Sequence, residues 1–133
     1  MIQQNRLVEQ FLELVRIDSE SKHEQEISKT LKRKFGELGL DVFEDDTAAE
    51  TGHGSGNLIC TLDATADKTD VPTIFFTCHM DTVSPGKGIK PRIDEDGYIR
   101  SDGTTILGSD DKAGIAAMLE AIRVLKENRI SHG

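Results

Sequence analysis

Leu7, Phe11, Leu14 and Val15 fall at i, i+4, i+7 and i+8, one apolar stripe with the 3.6-residue period of a helix. The spacing predicts a helix over 4–17, broken at Asp18-Ser19-Glu20. Ser21 and Glu24 then make a Ser-x-x-Glu pattern, the signature of a capping box that opens a helix. That second helix is expected to run to about Leu38 with Ile27, Leu31, Phe35 and Leu38 on its buried face. Gly39 stands where a left-handed residue would end it.

Beyond Gly39 the period changes. Leu40–Glu44 reads as a short strand, 45–56 as an acidic, Gly-rich loop, and Asn57–Leu62 as a second strand followed by a polar turn over 63–71. Thr73–Cys78 (Thr-Ile-Phe-Phe-Thr-Cys) is an unbroken β-favouring run, which suits a strand buried on both faces of a mostly parallel sheet. It is expected to be internal, with neighbours on both sides. Residues 84–91 read as a Gly/Pro loop and 93–100 as a hairpin turned at Asp94-Glu95-Asp96-Gly97. A third long helix is predicted over 111–127, with Ile115, Met118, Leu119, Ile122 and Leu125 inward. Helices mixed with strands in this order indicate an α/β class fold with a mixed, mostly parallel sheet packed with helices. The chain stops at Ser131-His132-Gly133, after a helix that should lead into another strand, so a fold incomplete at the carboxyl end is expected.

Length changes this picture little: 133 residues suit one domain or part of a larger one. Charge narrows the partners. Lys and Arg number 16 against 24 Asp and Glu, a net charge of −8, which argues against nucleic acid and against an anionic membrane surface. The polar start Met1-Ile2-Gln3-Gln4-Asn5 lacks a signal-peptide pattern, so a cytoplasmic location is the expectation. Cys60 and Cys78 lie within apolar runs and read as small buried hydrophobes.

Two segments could carry chemistry. The apolar run delivers His79 and Asp81 at its carboxyl end, two positions apart and therefore on one side of an extended chain. Ligands in open α/β sheets gather at such strand ends. A neutral imidazole suits zinc, and a nearby carboxylate can accept the other ring N–H. The same pair equally suits a plain strand cap. In the second segment, Gly108-Ser109-Asp110-Asp111-Lys112-Ala113-Gly114, two consecutive carboxylates stand where a helix begins. Adjacent carboxylates repel unless one is coordinated, protonated or solvated, and a divalent cation would relieve that. One of the two could instead be a helix N-cap.

Together, His79-Met80-Asp81-Thr82-Val83 and, about thirty residues on, Gly108-Ser109-Asp110-Asp111-Lys112-Ala113-Gly114 resemble the co-catalytic zinc peptidase and deacylase family. The wording Leu107–Ile115 and the opening Phe11–Ser19 with Ser21 are most similar to its peptidase T-like branch, and the resemblance covers essentially the whole chain. It implies a zinc-exopeptidase-like catalytic domain, of which 1–133 would be the amino-terminal part, and two zinc ions. His79 would bind one zinc, Asp110 would bridge both, and Asp81 would orient the His79 ring as part of the catalytic machinery. Asp111 would not be a ligand, and the Asp110–Asp111 peptide would be cis. The substrate would be a short peptide. An N-acyl amino acid deacylase of the same family, a non-catalytic truncated domain and a simple metal-binding module stand as alternatives. The family's general base, its remaining ligands and the small domain that closes the site and allows a homodimer find no counterpart in this sequence. The isolated chain is therefore expected to be inactive.

Overall fold

The computed structural model describes all 133 residues. Two amphipathic helices open the chain, α1 (Gln4–Val15) and α2 (Gln25–Glu37), followed by strand β1 (Asp41–Glu44), a single turn of helix α3 (Thr47–Thr51) and strand β2 (Leu58–Thr61). Two short strands, β3 (Arg92–Ile93) and β4 (Ile99–Arg100), precede the long helix α4 (Ser109–Glu127). The apolar stripes do what their period requires. Phe11, Leu14 and Val15 of α1, Ile27, Leu31 and Phe35 of α2, and Ile115, Ala116 and Leu119 of α4 form one buried cluster with Leu40. Gly39 ends α2 at φ 78 and Gly97 turns the β3–β4 hairpin at φ 82, both left-handed positions that glycine fills without steric cost. The loop expected over 45–56 contains α3, which ends at left-handed Gly52.

The sheet differs from expectation. β1 pairs with β2, and β3 with β4, both antiparallel, in two separate two-stranded ladders. The only parallel pairing is a single bridge between Glu20 and Thr82. Residues 73–78, expected as an internal strand, form no ladder; Ile74, Phe75 and Phe76 are 72%, 80% and 70% exposed. An apolar run becomes internal only when other segments hydrogen-bond to it on both sides. Here β1 and β2 pair with each other, and only the connector at 19–21 reaches the run's carboxyl end.

The capping box is also corrected. α2 starts at Gln25 and no side chain caps it. The Glu24 carboxylate instead accepts hydrogen bonds from the backbone N–H of Lys22 and of Gly54 and contacts His53 Nδ1 at 2.8 Å, pinning the Gly-rich loop to the start of α2. Burial opposes ionisation of this carboxyl, but those donors outweigh it and hold its pKa below the ordinary range. His53 is therefore partnered. On the far side, Glu120 of α4 is buried and accepts two hydrogen bonds from the Arg6 guanidinium of α1 and one from Gln3 N–H. Arg6 holds the Glu120 carboxyl below its usual value.

Candidate active site

The site lies where the end of the 73–78 run meets the start of α4. Gly108, at φ 75, turns the chain into the helix while packed against Ile89 and Thr82; a Cβ there would lie 3.3 Å from Ile89 Cδ1. Asp110 (φ −92, ψ 103) and Asp111 (φ −121, ψ 34) are not helical, and the peptide between them is cis. The regular helix starts after them. Three consecutive side chains thus leave in three directions. Asp110, 95% exposed at its side chain, faces the cleft. Asp111 Oδ1 accepts the Gly114 N–H at 3.2 Å, which makes it the N-cap of the helix that follows. Lys112 is fully buried and its Nζ donates to Ile17 O at 2.7 Å. Burial pushes the Lys112 pKa down to about 8, against the pull of Asp18.

His79 faces Asp110 across 31 positions of sequence, Nε2 to Oδ1 at 3.0 Å. Its other nitrogen, Nδ1, lies 3.0 Å from the Asp81 backbone oxygen and 3.2 Å from Asp81 Oδ1. Both ring nitrogens thus face acceptors, Asp81 at Nδ1 and Asp110 at Nε2, an arrangement that favours a proton on each. Partial burial works to lower the His79 pKa, but the hydrogen bonds to Asp110 and Asp81 outweigh it and the net shift is upward. Asp81 in turn accepts the Ser21 hydroxyl at Oδ2; that bond, helped by His79 and resisted by burial, holds its carboxyl below the ordinary range.

His79, Asp81, Thr82, Gly108, Ser109 and Asp110 line an open cleft of about 260 Å³. The structure therefore brings together all three residues that the sequence singled out. It adds Ser21, which sequence reasoning assigned to a helix cap. No local pattern could have found it, because its partner lies 60 residues away. An imidazole nitrogen and a carboxylate oxygen at one cleft wall are a donor pair of the right chemistry for zinc. No three or more His, Cys, Asp or Glu side chains converge to hold a metal. His79 and Asp110 thus fit as two ligands of a shell that this chain does not fill.

No family model matches the chain. Among solved structures, an aminopeptidase PepT from Bacillus cereus superposes with a TM-score of 0.95 at 68% identity, covering 99% of this chain. The chain is peptidase T-like. A tripeptidase from Staphylococcus aureus matches with the same TM-score at 54% identity over the whole chain. Curated relatives include an uncharacterized protein, YqjE, of Bacillus subtilis, 66% identical over all 133 residues, and the peptidase T of Bacillus cereus, 33% identical over 96% of the chain. This peptidase T-like chain spans 35–40% of the length of those relatives and corresponds to their amino-terminal part. The solved aminopeptidase and the curated peptidase T come from one strain, yet differ twofold in identity to this chain, so the chain stands nearer to the former branch.

Proposed function

We propose that this peptidase T-like chain supplies part of a two-zinc hydrolytic site for short peptides. The observation that carries the reading is the meeting of His79 Nε2 with Asp110 Oδ1 at 3.0 Å while Nδ1 is tied to Asp81. His79 and Asp110 would hold zinc, Asp110 as the carboxylate shared between two ions. Zinc, when bound, would polarise a scissile carbonyl and activate water. The chain's own residues prepare for that. With zinc bound, Asp81 would hold the His79 proton on Nδ1 and leave Nε2 as the lone-pair donor. Gly108 and the non-helical pair turn Asp110 outward, and Asp111, spent on the helix cap, leaves Asp110 alone at the cleft. The names of the solved neighbours, an aminopeptidase and a tripeptidase, support a short peptide as substrate. Two unpaired cysteines agree with a cytoplasmic setting. The exposed, unpaired run 73–78 supports the inference that a mostly parallel sheet needs segments outside residues 1–133.

With two donors and no group placed to take a proton from water, the chain alone is inactive in this reading and binds zinc far more weakly than a complete four-ligand site. The test uses this chain and the same sequence extended to the length of its relatives. The extended protein cleaves tripeptides in preference to N-acetyl amino acids, and His79→Ala removes both metal and activity. Asp81→Ala keeps part of the metal and cripples turnover. Zinc-dependent cleavage by the 133-residue chain, hydrolysis confined to N-acetyl amino acids, or equal metal loss in both variants would overturn the assignment.

A further inference from the structure

We propose that Ser21 is a positioning residue of this site: its hydroxyl, carried by the α1–α2 connector, fixes the Asp81 carboxylate and thereby the His79 ring, with Nδ1 held on Asp81 and Nε2 turned to Asp110. The proposal rests on the reading of His79 as a metal ligand for its purpose, though not for its geometry.

Ser21 Oγ donates to Asp81 Oδ2, and Asp81 Oδ1 faces His79 Nδ1. An aspartate carboxylate turns easily about its last torsion, whose profile is broad and two-fold. One partner on one oxygen leaves that rotation soft. A second partner on the other oxygen sets the plane. Asp81 is also part-exposed, so water competes for Oδ2 unless a fixed donor occupies it.

Ser21 is such a donor, because its connector is sewn down on every side. Ser21 N–H donates to Thr82 O at 3.1 Å and Thr82 N–H to Ser19 O at 2.9 Å. Gly86 N–H donates to Glu20 Oε1 and Gly88 N–H to Asp18 Oδ1, each at 2.7 Å. Lys112 Nζ holds Ile17 O from below. Five bonds from two distant segments thus fix residues 17–21 against the segment that follows His79–Asp81 and the start of α4. The hydroxyl has a local alternative, capping α2 as the Ser-x-x-Glu pattern suggests, and it is not used. The chain spends this serine on Asp81 instead.

The test reads the His79 ring directly. In the metal-free, 15N-labelled chain at alkaline pH, where the ring is neutral, the two ring-nitrogen shifts report the tautomer. In the wild-type chain Asp81 at Nδ1 and Asp110 at Nε2 compete for the ring proton, and the ratio of Nδ1–H to Nε2–H measures how firmly Asp81 holds its side. Ser21→Ala lowers the ratio of Nδ1–H to Nε2–H by about three- to tenfold, part of what one hydrogen bond to a carboxylate is worth, while the amide spectrum stays native. Ser21→Thr, which keeps the hydroxyl, restores the ratio. Should Ser21→Ala not fold, Ser21→Thr against Ser21→Val, alike in shape, isolates the hydroxyl. A wild-type ratio in Ser21→Ala or in Ser21→Val overturns the proposal. Zinc added to the same samples separates the two readings. Zinc that leaves His79 Nε2 untouched in a chain whose tautomer follows Ser21 defeats the metal assignment and not the positioning. Zinc that shifts Nε2 equally in wild type and Ser21→Ala, with unchanged tautomers, does the reverse.

Discussion

Gly114 sits one turn into α4, where an alanine would ordinarily improve a helix. A Cβ added there would lie 2.5 Å from Asp111 Oδ1 and 2.6 Å from Cys78 Sγ. Ordinary contact between such atoms is about 3.5–4.0 Å, so both neighbours must move by about an ångström. Displacing Cys78 strains a packed contact, at about 1–3 kcal/mol for overpacking. Displacing Asp111 loosens the bond to the Gly114 N–H that caps the helix, about 1 kcal/mol. The gain in helix propensity offsets about 1 kcal/mol of this. Gly114→Ala should therefore destabilise the chain by about 2 kcal/mol, lowering Tm by about 6–8 °C at this length. Gly36 supplies the control, because it lies in α2 with no atom within 4 Å of its added Cβ. Gly36→Ala should gain about 0.5–1 kcal/mol. Urea and thermal unfolding of the two variants, followed by far-UV circular dichroism, measure both signs in one experiment. A Gly114→Ala chain as stable as wild type, or more so, would refute the reasoning that Cys78 and the helix cap meet at this glycine.

Arg6→Ala should cost about 3 kcal/mol, since it leaves the buried Glu120 carboxylate with only the Gln3 N–H; urea unfolding should show it worse than Glu120→Gln, in which Arg6 is 30% exposed and keeps its pair with Glu127. Glu24, with its native pKa lowered, contributes stability that is complete above the ordinary glutamate value of about 4.3 and is lost as pH falls through the lowered native value. Acid titration of stability should therefore be shallower in Glu24→Gln, and an identical acid limb in both chains would contradict the assignment. Phe75, in an unpaired apolar run, should drive concentration-dependent self-association of the isolated chain. Sedimentation velocity should show that Phe75→Lys suppresses it, and a wild-type chain that stays monomeric at high concentration would count against an open edge.

The helices were legible because their signal is local. Leu14, Ile27 and Leu119 lie on stripes whose period alone predicts a buried face, and all three are fully buried. His79 and Asp110 were legible for another reason. Each ends an apolar segment with a polar group that the fold must either solvate or use, and the resemblance joined the two. What escaped was decided by partners. Ser21 could cap α2 or bond a distant group, and Asp81, 60 positions away, settles the choice. The run 73–78 has the composition of an internal strand, but burial belongs to a pair of segments and not to one. β1 and β2 read correctly as strands, while their antiparallel pairing depends on α3 folding the loop between them into a tight return.

The stitching of residues 17–21 also sets an order of assembly. α2, β1 and β2 are near neighbours in sequence and can form together early, because closing short loops costs little entropy. α1 is tied to α2 through Lys34, which reaches Glu13 and Gln10, but its main packing lies elsewhere. It packs on α4, more than a hundred residues away, and its tail at Ile17 waits for Lys112. The first helix made is therefore among the last to dock, and its docking delivers Ser21 to Asp81. The event that closes the core is the one that completes the cleft.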